Sequence, residues 1–165
     1  MSRTRKHLLG LCVLTAVAWL PSIRAYLPLG DDFVHFLDFS RGVSKYLETH
    51  LQLLSISRML GDAIVWSLNQ GSPWVYPIVA LILHAVCSCV LYYCIRLYWN
   101  HAPLAFMLSA IFAVSPFGFT AIYWASAFPY AVVTLVFLLL LIGVKKSLEA
   151  DSHHGFKALW IACAW

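Results

Sequence analysis

Between Val75 and Arg96 the chain runs 21 residues without a charged side chain. No other feature narrows its folding options as much. At 1.5 Å per residue such a run makes a helix of about 31 Å, the thickness of a bilayer's hydrocarbon core. The composition agrees with this reading. Hydrophobic residues make up 62% of the 165 and charged ones 11%, against about 25% charged in soluble domains. The net charge of +4 does not point to nucleic acid, because Lys and Arg stand at the ends of apolar segments, where membrane proteins use them to set orientation. All five cysteines (Cys12, Cys87, Cys89, Cys94, Cys163) lie within apolar segments, which gives a disulfide framework no support. Cys87, Cys89 and Cys94 do not share one helical face, which argues against a common metal.

The expected architecture is all-α: a polytopic helical membrane protein with about four transmembrane helices, a partial fifth, and interfacial amphipathic helices in the first extracytoplasmic loop. Residues 8–20 follow the basic cluster Arg3, Arg5, Lys6 and form the first span. A cleavable signal peptide is the rival reading, and Arg24 and the bulk of Ile23 beside the cleavage point count against it. Residues 75–98 form the second span, 103–115 begin a third that Pro116 and Gly118 interrupt, and 129–144 form a fourth, ending at Lys145-Lys146. Residues 156–165 read as the start of a fifth, so the expectation is a single transmembrane region, 1–165, within a longer membrane protein. With a cytoplasmic N-terminus, seven basic residues (Arg3, Arg5, Lys6, Arg96, Lys145, Lys146, Lys157) fall inside and four (Arg24, Arg41, Lys45, Arg58) outside, as the positive-inside rule prefers. Segment 26–74 is then extracytoplasmic.

That segment holds five of the seven carboxylates, Asp31, Asp32, Asp38, Glu48 and Asp62. Asp31, His35, Asp38, Arg41, Lys45 and Glu48 recur every three or four residues, opposite Phe33, Phe36, Leu37, Tyr46 and Leu47. This is the pattern of an amphipathic helix lying on a membrane surface, with Gly42 as its point of weakness. Residues 51–68 read as a second helix carrying Arg58 and Asp62 four apart, and "NQGSP" as the turn before the next span.

Several residues could carry chemistry. In Gly30-Asp31-Asp32 one aspartate suffices to cap a helix; the second is open to metal coordination or to work as a base. His35 shares a face with Asp31 and Asp38, as either a solvated polar stripe or a cation site. Arg58 is either half of a surface ion pair with Asp62 or a fork for a lipid-linked phosphate. His84, inside the second span, is either hydrogen-bonded to a neighbouring helix or turned to a polar cavity.

The order of these features resembles the N-terminal part of the C-type (GT-C) membrane glycosyltransferases: one span, an acidic pair in a long outer loop, a span carrying "ILHAV", then "SAIFAVSPFGFTAIYWAS". The resemblance covers residues 8–144. Where related members carry His-Pro followed by an acidic residue, this chain has Ser115-Pro116 and no carboxylate before Tyr123. The resemblance implies a transferase that takes a sugar from a polyprenyl-phosphate donor at the outer face of the plasma (inner) membrane. Asp31 and Asp32 would be its catalytic or metal-holding acids, with magnesium or manganese as the cation, and Arg58, His84 and His35 would contact substrate. The implied partners are the lipid-linked sugar donor and membrane lipids, not nucleic acid. A lipid or polysaccharide transporter, or a non-catalytic assembly protein, is the alternative reading of the same composition.

Overall fold

The structure is a computed structural model, and it describes residues 2–23, 37, 40–50, 63, 64, 66, 67, 75–115, 122 and 128–149. Regular structure among the described residues is entirely helical: α1 (Arg3–Ile23), α2 (Val43–His50), α3 (Val75–Trp99), α4 (Ala102–Val114) and α5 (Phe128–Glu149). The four apolar runs of the sequence thus all form helices. Two of them, α3 and α5, are long and apolar enough to cross a membrane, fewer than the four or five expected. α4 has 13 residues and reaches only about 20 Å, while α1 gives part of its 21 residues to a basic first turn and carries Pro21 near its end. The expected fifth span lies outside the described residues.

The two long helices point to a membrane for a further reason. A core helix of a water-soluble domain is mostly covered by its own protein. Here only 17% of the apolar window of α5 and 44% of that of α3 is buried, and Val132, Val133, Val136, Phe137 and Leu139 all lie on the exterior of α5. So large an apolar exterior is suited to lipid or to other apolar helices.

α3 is the central post, packing against α1, α4 and α5, and α1 also packs against α4. The turn from α3 into α4 is only two residues long. Asn100 adopts φ 49°, a left-handed conformation that Asn tolerates better than most residues. His101 then caps α4, its Nδ1 accepting from the Leu104 amide at 3.1 Å, and Pro103 sits where its missing N–H costs nothing. The chain therefore reverses sharply and α3 and α4 run antiparallel.

Contacts at the helix ends fix the remaining directions. Arg96 Nη1 donates to Thr4 Oγ1 at 2.6 Å, Tyr98 Oη donates to the Leu141 carbonyl at 2.9 Å, and the Lys145 ammonium lies over the Tyr98 ring, 5.9 Å from its centre. The start of α1 and the ends of α3 and α5 consequently share one end of the bundle. Arg3, Arg5, Lys6, Arg96, Lys145 and Lys146 collect there.

α2 begins where Gly42, at φ +115°, breaks the backbone, as the sequence anticipates. Its polar face carries Lys45 and Glu48, paired at 3.1 Å and well exposed. Tyr46, on the other side, is buried.

Candidate functional site

Inside the bundle the three packed helices each present a stripe of residues four apart: Leu11, Thr15, Trp19 and Ile23 on α1; Tyr76, Ala80, His84, Ser88 and Tyr92 on α3; Ala105, Ser109 and Ala113 on α4. An interval of four keeps a stripe on one helical face. The small side chains of α4 let its backbone approach its neighbours closely, the usual device for packing helices in lipid. Leu11, Tyr92, Ile95 and Ala105 form an apolar layer towards the basic end, and Ile23, Tyr76, Ala80, Leu81, Ile122 and Phe128 form another towards the opposite end. Between them along the helices lie four buried polar residues, Thr15, His84, Ser88 and Ser109.

Two of these four hydroxyls and rings are absorbed by their own helices or stripes. Thr15 Oγ1 donates to the Leu11 carbonyl at 2.8 Å and Ser88 Oγ to the His84 carbonyl at 2.9 Å. Ser109 Oγ is buried with no hydrogen-bond partner among the described residues.

His84 reaches across to another helix. Its ring is 3% exposed, lies against Phe112 with centroids 5.0 Å apart, and meets the Ala113 carbonyl at 3.1 Å through Nε2. A carbonyl can only accept, so Nε2 carries the proton. Trp19 Nε1 donates to the same carbonyl at 2.7 Å.

The end of α4 explains this convergence. The last carbonyls of a helix have no partner within it, and where they are buried they must find donors elsewhere in the protein. The Phe112 carbonyl takes the Ser115 amide at 3.3 Å and the Ser115 hydroxyl at 3.0 Å. The Ala113 carbonyl takes Trp19 and His84, and α1, α3 and α4 are tied at a single atom.

Of the residues that sequence reasoning selected, His84 is the one the structure describes. It fastens the helix junction, bonded to Ala113 and packed on Phe112 of α4. Asp31, Asp32, His35, Arg58 and Asp62 lie outside the described residues, and with them the expected ion pair of Arg58 with Asp62 and the cation site expected at the acidic pair. Among the described residues no three His, Cys, Asp or Glu side chains are grouped to hold a metal ion. The three cysteines of α3 diverge as their spacing requires: Cys87 Sγ donates to the Ala131 carbonyl of α5 at 3.6 Å, and Cys89 faces α1.

Sequence reasoning missed three features. They are the Trp19 bond, the contact of His7 with Tyr92 Oη at 3.0 Å, and the approach of Cys12 to Cys89, whose sulfurs are 3.8 Å apart. Only the first left a trace in the sequence, as an indole inside the first apolar run.

Comparison with protein-family models, with curated proteins and with solved structures found no match to this chain.

Proposed function

We propose that the chain forms part of a membrane glycosyltransferase of the C type, transferring a sugar from a polyprenyl-phosphate donor to an acceptor at the extracytoplasmic face of the plasma membrane. The observation that carries this reading is the acidic pair Asp31-Asp32. It follows α1 in the chain, after the end of that helix remote from the basic cluster, in a protein otherwise poor in carboxylates. The basic end of the bundle supports a cytoplasmic assignment for the N-terminus, and hence an outer one for the acidic pair.

In this reading Asp32 takes the proton of the acceptor hydroxyl as its oxygen attacks the anomeric carbon. The bond from that carbon to the donor phosphate breaks. Arg58, whose guanidinium suits a phosphate at headgroup depth, offsets the charge left on the leaving group. Asp31 caps the following helix or shares a divalent cation with Asp32, His35 lies close enough in sequence to contact the sugar, and His84 holds the span that backs the site.

Asp32→Asn in the complete gene product tests the reading. It keeps the size of the side chain and removes the base. Transfer of labelled sugar from a polyprenyl-phosphate donor by membranes holding the variant should fall by about 10²- to 10⁴-fold at unchanged protein level. Near wild-type transfer by both Asp31→Asn and Asp32→Asn would reduce the pair to a turn and a cap and overturn the reading.

A further inference from the structure

We propose that Cys12 and Cys89 form an oxidisable dithiol, which a lipid hydroperoxide converts to a disulfide tying α1 to α3. This inference does not depend on the glycosyl-transfer reading.

The two sulfurs come from helices 77 residues apart in the chain and stand 3.8 Å apart. All four described cysteines are free thiols. The pair lies in an apolar groove of about 460 Å³ between the two helices, with Leu8, Ile82, Val86 and Tyr93 among its walls. Cys12 is exposed there, while Cys89 is partly covered and directs its thiol to the Leu8 carbonyl at 4.0 Å. Cys87, two residues away, faces α5 and does not compete.

Depth selects the oxidant. Cys12 lies six residues beyond Lys6 and Cys89 seven before Arg96, each about 10 Å along its helix from the basic end. The groove walls Ile82, Val86 and Tyr93 are themselves exposed, on a surface suited to acyl chains. Reagents that arrive there are lipid-soluble, and the hydroperoxide of an unsaturated acyl chain is the oxidant such a place supplies.

The reaction balances in two steps. The Cys12 sulfur attacks the outer peroxide oxygen and the O–O bond breaks; Cys12 becomes a sulfenic acid, and its thiol proton passes to the departing alkoxide to give a lipid alcohol. The Cys89 sulfur then attacks the sulfenic sulfur, the S–S bond forms, and hydroxide leaves with the Cys89 proton as water. Two thiols and one hydroperoxide become one disulfide, one alcohol and one water. Closing the sulfurs from 3.8 Å to about 2.0 Å is a movement of about 1.8 Å, shared between two side chains on helices already in contact.

The test uses the full chain in membranes, treated with cumene hydroperoxide as a lipid-soluble probe. Thiols are then counted by maleimide–polyethylene glycol tagging after denaturation. The five tags of the untreated chain should fall to three and return to five after reduction, and peptide mapping should join the Cys12 peptide to the Cys89 peptide. In C89S the peroxide should leave a Cys12 sulfenic acid trapped by dimedone, whereas C12S should keep its four tags and trap no dimedone. Five tags retained by the wild-type chain, lost thiols that map to any other pair or to cross-linked chains, or dimedone on Cys89 in C12S would each overturn the proposal.

Discussion

Trp19 and His84, on helices that run in opposite directions, donate to one oxygen, that of Ala113, at 2.7 Å and 3.1 Å. A carbonyl has two lone pairs, so the arrangement is saturated, and either donor alone still leaves the oxygen satisfied. Buried hydrogen bonds between membrane helices contribute about 0.6 kcal/mol on average and about 1.7 at most. Removal of one donor and removal of both are therefore different events.

Trp19→Phe and His84→Phe should each cost about 1 kcal/mol of stability, packing included. The double variant should cost more than their sum by about 1 kcal/mol, because only then is the buried carbonyl orphaned. Unfolding in mixed detergent micelles measures all three. Strict additivity would show that the oxygen finds another donor.

Ser109→Ala should be neutral or stabilising by up to about 1 kcal/mol, since it deletes a buried hydroxyl with no partner among the described residues and leaves the small stripe of α4 intact. Ser109→Leu should lose about 1–3 kcal/mol through overpacking between α1 and α3. The same unfolding assay separates the two. A large loss in the alanine variant would mean the hydroxyl has a partner in the membrane-embedded protein.

Two glycines should respond oppositely to a methyl group. Gly42, at φ +115°, occupies a conformation that side chains resist, so Gly42→Ala should cost about 1–3 kcal/mol and speed amide exchange across α2. Gly143 lies within α5 with nothing within 4 Å of an added Cβ, and Gly143→Ala should stabilise by about 0.5–1 kcal/mol. Faster exchange in the second variant and unchanged exchange in the first would contradict the described backbone.

Single cysteines placed at Arg5 and at Lys146 in a cysteine-free background should report the same side of the membrane, because the start of α1 and the end of α5 share one end of the bundle. An impermeant maleimide added from outside should label neither, and should label a cysteine at Lys45. Labelling of Arg5 and Lys146 positions from opposite sides would break the helix arrangement itself; labelling of both from outside would invert the orientation.

Much of the helical layout is legible in the sequence, because charge-free runs and basic termini are local signals. The break at Gly42 and the divergence of Cys87, Cys89 and Cys94 follow from conformational freedom and helical pitch. What could not be read is which faces meet. In water an amphipathic period marks the inner face, but on α4 the outward residues Met107, Leu108 and Ile111 are as apolar as anything inside, so the hydrophobic period vanishes. The inner face is marked instead by small size, at Ala105, Ser109 and Ala113. The Cys12–Cys89 approach left no local trace at all, being set by how two distant helices cross. Of the candidate site, the sequence supplied His84 and its option of a bond to a neighbouring helix, but not the indole that shares its acceptor.

α4 starts at the basic end of the bundle and, at about 20 Å, is the shortest of the four apolar helices. Its last turn hangs on side chains of α1 and α3, so the chain leaves it at Ser115 from a point that two other helices fix.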